Sequence, residues 1–230
     1  MSKNWVVLVI ILAVMFLFSG CAPTAQGAGK ADPKTAGADP KDPATPKKDV
    51  FTLAKEGWVN FKDPKFAGST NDMSCNTCHP YGGKDTSPTP KDKKTLIGQA
   101  KTFPKVVPMA GDKPVTLIEM INWCITNPLG GKALQDTDPL MLSMVQFHNV
   151  LEPKTFEADA LPIINATCAP CHSGDTPIGK LNLVDKDTAV ANADKIRVAI
   201  DTGLMPKSGT LTDKDFMTLI IWGTTEIDKT

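Results

Sequence analysis

Cys75-Asn76-Thr77-Cys78-His79 and Cys168-Ala169-Pro170-Cys171-His172 decide how this chain folds. Each is C-x-x-C-H, the spacing at which two thiols and an adjacent imidazole attach a c-type haem. The thiols add across the two vinyl groups, and the two-residue spacer matches the distance between them. The histidine next in line reaches the iron from the proximal side. Two copies behind one apolar leader predict two covalently bound haem c groups. Cys75, Cys78 and His79 hold the first; Cys168, Cys171 and His172 hold the second. Zinc is the competing reading of cysteine and histidine at short spacing. A structural zinc site closes four protein ligands around the metal, and each cluster offers three.

The chain opens with Lys3 and an unbroken apolar run over residues 5–18. That run is too short for a comfortable membrane span and suits the core of a signal peptide. It ends in Phe18-Ser19-Gly20-Cys21, which resembles a bacterial lipobox with Phe18 in the place usually held by leucine. The resemblance implies a lipoprotein signal peptide over 1–20, cleavage before Cys21 and lipidation of that cysteine. Several acyl chains on one residue anchor stably where a single chain does not. An uncleaved N-terminal anchor is the alternative. Either way the folded part is expected in the cell envelope, facing the periplasm or the cell exterior. The outer membrane is favoured by analogy, because no Asp follows Cys21. Residues 22–48 contain only Ala, Asp, Gly, Lys, Pro, Thr and one Gln. Such a stretch buries no core and does not offset the entropy of ordering. Residues 21–49 are therefore expected to be a flexible tether, kept extended by its prolines.

Of the 6 cysteines, Cys21 goes to lipid, four go to thioethers, and Cys124 is left over. Of the 3 histidines, His148 remains after the two proximal ligands. Lysine and arginine total 25 against 25 acidic residues, and Arg197 is the single guanidinium. Four haem propionates make the working protein mildly acidic. There is no basic stripe interleaved with aromatics, so nothing points to nucleic acid.

The residues beyond the tether suit two small domains, 50–152 and 153–230. In the first, helices are predicted over 51–61, over 115–126, and from Asp138-Pro139 to 151, where an acidic cap precedes proline in the first turn. Residues 81–114 read mostly as loop. In the second, 156–167 reads as a short helix disturbed at Pro162, and 188–201 as another. Thr212 and Asp215 form a capping-box pattern. Phe216, Leu219, Ile220 and Gly223 then mark one face of a terminal helix. An early helix, a haem motif, a ligand loop and a closing helix resemble the order of a class I cytochrome c domain. The expected fold is thus all-α, with two tandem class I cytochrome c-like haem domains after a signal peptide and flexible tether.

For the second iron, the distal candidate is Met205 in Gly203-Leu204-Met205-Pro206; Met217 is better placed for a core. For the first iron the candidates are Cys124, His148, Met109, Met120, Met141 and Met144. Phe103-Pro104, Gly111, the stretch Ile118-Glu119-Met120-Ile121-Asn122-Trp123-Cys124, Gly131-Lys132-Ala133-Leu134 and Asp138-Pro139 resemble the haem domains of thiosulfate dehydrogenases and SoxA proteins. So do Pro80, Gly82 and Gly83 after the haem histidine. The resemblance implies that Cys124 ligates the first iron on its distal side. Met109 and His148 stay open as alternatives. In related domains the position of Phe147 packs on the N-terminal helix, which would turn His148 toward the rim.

Haem with both axial positions filled by protein suits electron transfer with redox partner proteins rather than substrate turnover. Methionine/histidine ligation raises the potential, whereas a thiolate donates charge and should lower it. The expected function is that of a membrane-anchored electron carrier. The alternative is a sulfur-compound oxidoreductase of the thiosulfate dehydrogenase type. Against that alternative, those enzymes commonly hold an arginine where this chain has Met120.

Overall fold

The computed structural model describes residues 48–87 and 94–230. The expected signal peptide, the expected lipidation at Cys21 and nearly all of the expected tether lie outside the described residues. The described chain is mostly helical, with two short strands, β1 (Lys105–Val106) and β2 (Pro114–Val115), paired antiparallel. That hairpin falls where sequence reading gave mostly loop, and its last residue, Val115, where it gave the start of a helix.

Helix α1 (Val50–Lys62) starts at Asp49, whose carboxylate accepts from the Phe51 and Thr52 amides. This satisfies two of the donors that a helix start leaves open. Helix α2 (Cys75–Cys78) is the single turn of the first motif. Helix α3 (Leu117–Thr126) begins later than expected. Val115 pairs in β2, and Thr116 with Glu119 forms a reciprocal capping box. Helix α4 (Pro139–Val150) opens on Asp138 and Pro139 as the sequence predicts.

The region before the second motif shows what a proline does to a helical ladder. Helix α5 (Leu161–Ile163) holds Pro162, and π-turns flank it at Phe156–Ala160 and Ile164–Cys168. Leu161 and Ala169 both donate five residues back, to Phe156 and Ile164. Proline has no N–H to give, and the ladder shifts register around it. The predicted helix over 188–201 is two helices, α6 (Lys186–Ala191) and α7 (Ala193–Asp201), broken at Asn192. Helix α8 (Asp213–Asp228) is capped by Thr212, whose hydroxyl accepts from the Asp215 amide and donates to the Asp215 carboxylate. The predicted stripe understates α8: residues 217–224 are all buried, so it is a central helix.

Helix α1 crosses α4 closely at Gly57, where a Cβ would lie 2.1 Å from the Ser143 carbonyl oxygen. Trp58, Phe61 and Phe147 fill this crossing and are at most 1% exposed. Full burial of such side chains stabilises by roughly 2–3 kcal/mol each. Helix α7 packs on α8 around Gly223. Residues of both halves belong to one hydrophobic core, and residues 46–230 cluster as one compact unit.

Polar contacts join the halves as well. Trp58 Nε1 donates to Asp201 at 2.8 Å, and Lys62 reaches the same carboxylate. Thr52 and Lys55 bond Asp213. The Arg197 guanidinium lies 3.5 Å from the centre of the Tyr81 ring, whose other neighbour is Trp58 at 5.3 Å. Among the described residues no helix is long and apolar enough to cross a membrane.

Candidate functional site: two C-x-x-C-H turns

The first motif is held from every side. The Ser74 amide donates to Thr77 Oγ1 at 3.0 Å, and the His79 amide to the Cys75 carbonyl at 2.9 Å. Asn76 Oδ1 accepts from the Tyr81 amide at 2.7 Å and fixes the left-handed turn at Tyr81 (φ 57°). The two variable positions of the motif therefore build the turn. Thr86 donates its amide to the Cys78 carbonyl at 2.7 Å. His79 Nδ1 lies 3.2 Å from the Gly83 carbonyl. A carbonyl only accepts, so Nδ1 carries the proton and Nε2 presents its lone pair, the state a metal ligand needs. Burial lowers the basicity of His79, while the Gly83 bond and the carboxylates of Asp85 and Asp228 pull it back up.

Two residues left over by cysteine and histidine accounting come to this motif. Cys124 sits on α3, half-buried. Its thiol is pushed up to about 12, first by burial and then by the nearness of Cys75, Cys78 and Asp85. Burial likewise pushes Cys75 up to about 12. His148 is buried on α4, not turned to the rim as expected. Its neighbour Phe147 does pack on α1, but the His148 ring stands edge-on to Phe61 and Phe147. Its Nδ1–H donates to the Met144 carbonyl at 2.8 Å. Burial lowers its pKa to about 4, and His79 lies close enough to add to the effect. The methionines are placed otherwise. Met109 is 60% exposed, Met120 is half-buried, and Met141 and Met144 are sealed in the core.

The second motif repeats the turn with less support. The His172 amide donates to the Cys168 carbonyl at 2.9 Å, the same bond at the same length as in the first. Ile178 and Leu183 donate to the carbonyls of Cys171 and His172, both at 2.8 Å. Cys171 is exposed. His172 Nδ1 and Asn182 Oδ1 are buried without hydrogen-bond partners among the described residues. Met205 lies half-buried in the loop after α7, in the wall of a cleft of about 420 Å³. Ile200, Pro206, Leu211 and Phe216 share that wall with Trp58 and Val59 of α1; His172 does not line it. Met217 is in the core, as predicted.

Both C-x-x-C pairs are free thiols. Among the described residues no three histidine, cysteine or acidic side chains converge as they would around a single metal ion. Each turn offers two thiols and one imidazole, the groups that a porphyrin with two vinyl arms and a central iron would take. The free lone pair on His79 Nε2 fits the same group.

The chain matches no protein-family model, and no curated protein is significantly similar to it.

Proposed function

We propose that this chain is a dihaem c-type cytochrome, with two class I-like haem-binding halves packed on one shared core, and that it carries electrons in the cell envelope. The reading includes lipid anchoring at Cys21 and docking of redox partner proteins. What carries it is the repetition of one local structure. Two C-x-x-C-H turns share the same amide-to-carbonyl bond from histidine to first cysteine, 2.9 Å in each, with unpaired thiols that do not converge with the imidazole. A covalently held haem supplies a one-electron couple. Cys75 and Cys78, then Cys168 and Cys171, attach it; His79 and His172 orient and ligate it from the proximal side.

The candidate distal ligands favour unequal potentials. Cys124 at the first turn is the donor that lowers a potential, and Met205 is the one that raises it. Electrons then enter at the first site and leave from the second. The expected result is a mature protein, made in a host competent for haem attachment, heavier by two haem adducts and showing two separated midpoints in a redox titration. Cys124→Ala should shift the first midpoint and abolish any thiolate signature in electron paramagnetic resonance. Met205→Ala should shift the second. A colourless polypeptide without adducts would overturn the reading.

The nearness of Cys124 to Cys75 and Cys78 also suits a sulfur-compound oxidoreductase. Arg197 weighs against it. The only guanidinium is stacked on Tyr81, paired with Asp194 and bonded to Thr224, so it is committed to joining the two halves. Thiosulfate-dependent reduction of ferricyanide separates the readings: an electron carrier gives no turnover.

A further inference from the structure

We propose that Asp228, the last residue of the C-terminal helix, tunes the proximal histidine of the first haem through the peptide group joining Gly83 and Lys84. The inference rests on the haem reading of His79. The two ends of that one peptide are both engaged. Its carbonyl oxygen, from Gly83, accepts from His79 Nδ1–H at 3.2 Å. Its N–H, from Lys84, donates to Asp228 Oδ1 at 3.1 Å. The chain of bonds runs from imidazole to amide to carboxylate.

Three features show that this contact is built. Gly83 is pressed against α8 so closely that a Cβ would lie 2.9 Å from Asp228 Oδ1 and 3.0 Å from Thr224 Cγ2. Asp228 stands at the carboxyl end of α8, where the helix dipole disfavours a negative charge. Its position is therefore unfavourable for the helix and needs another partner. Its second oxygen, Oδ2, is buried with no hydrogen-bond partner among the described residues, which leaves the Lys84 amide as the bond this carboxylate makes.

The direction of the effect follows from hydrogen-bond polarisation. An amide N–H that donates to a carboxylate makes the charge-assisted, stronger kind of bond. Donating polarises the amide, and its carbonyl oxygen becomes the better acceptor. A more tightly held Nδ1–H makes Nε2 a more basic ligand. A more basic ligand favours ferric over ferrous iron. Asp228 thus holds the first potential down, and it does so from the second half of the molecule. Among the described residues His172 has no such relay, since its Nδ1 has no partner there.

The test uses the haem-loaded protein with Asp228→Asn, which keeps an acceptor of the same shape without the charge, and Asp228→Leu, which removes both. Midpoints are assigned with a Cys168→Ala/Cys171→Ala variant that carries only the first haem. The first midpoint should rise with Asn and rise further with Leu. At a fixed ambient potential the ferric-to-ferrous ratio of that haem should fall roughly three- to tenfold, part of the value of a charged hydrogen bond. The second midpoint should not move, and amide exchange at Lys84 should quicken in the Leu variant. If exchange at Lys84 quickens but the first midpoint stays, or if both midpoints move together, the relay is overturned and Asp228 only packs the halves. Should the Leu variant fail to fold, the Asn variant alone decides. A chain without haem adducts would remove the haem reading instead, and the adduct count separates that failure from this one.

Discussion

The two C-x-x-C-H turns share a backbone bond and differ in almost everything around it. Ser74, Asn76, Thr77 and Thr86 tie down the first, Gly83 receives its histidine, and α8 covers it. The second ends a helix interrupted by Pro162, exposes Cys171 and leaves the Nδ1 of its histidine without a partner. The first histidine is held by a backbone acceptor; the second has no partner for Nδ1 among the described residues. Buried polar atoms without partners are costly, so the second site has more to gain from a bound group that orders it.

Removing the thiols should expose that difference most strongly. Cys168→Ala/Cys171→Ala should strip one haem adduct and cost residues 173–183 most of their protection against hydrogen exchange. Cys75→Ala/Cys78→Ala should also strip one adduct, yet leave residues 74–86 largely protected. Exchange mass spectrometry on both variants reads the contrast, with at least about a tenfold difference in local opening expected, about 1.4 kcal/mol. Equal loss at both sites would break the comparison.

The helix crossings offer a second contrast. At Gly57 an added methyl would sit 2.1 Å from the Ser143 carbonyl oxygen and 2.7 Å from Phe147 Cβ, so backbone must move. At Gly223 the nearest atoms are the Ala193 carbonyl oxygen and Arg197 Cβ, both at 3.1 Å, which a small shift relieves. Alanine returns about 1 kcal/mol of helix propensity over glycine in either case. Gly57→Ala should therefore destabilise by about 3 kcal/mol or more through overpacking, while Gly223→Ala stays within about 1 kcal/mol. Denaturant midpoints of the two variants check this.

How much of this was legible in the sequence varies by kind of signal. Asp138-Pro139 announces α4, and Thr212 with Asp215 announces α8, because capping is local chemistry. The C-x-x-C-H turns are legible for the same reason. The roles of Asn76 and Thr77 were not, since the motif treats those positions as free. The hairpin at Lys105–Val106 and Pro114–Val115 is too short to show a strand period. The burial of α8 on all sides was hidden because its partners lie in both halves: α1 and the turn after His79 as well as α7. His148 was misplaced for a related reason. Knowing that Phe147 faces α1 says which way one side chain points, but not that Phe61 closes over its neighbour as well. Cys124 could be singled out by elimination, but its approach to Cys75 and Cys78 depends on tertiary packing of α3.

His148 belongs to the first half alone and gives the comparison an acid-sensitive readout. Its folded pKa is lowered to about 4 by burial, between Phe61 and Phe147 and near His79. An unfolded chain returns it to about 6.5. The native state then refuses a proton that the unfolded state takes, so stability is full above about pH 6.5 and falls as the pH drops toward 4. The loss should reach roughly 2–3 kcal/mol at the acid end. His148→Gln cannot take that proton, and its melting temperature should change less than the wild type's across the same window. Exchange measured at pH 5 should place the wild-type loss on α1 and α4 before it reaches α6 and α7. A change in the haem spectrum of this variant would make His148, in place of Cys124, the distal ligand of the first iron. An unchanged spectrum with a flattened pH profile would leave it as a packing residue whose neutral form the aromatic cage requires.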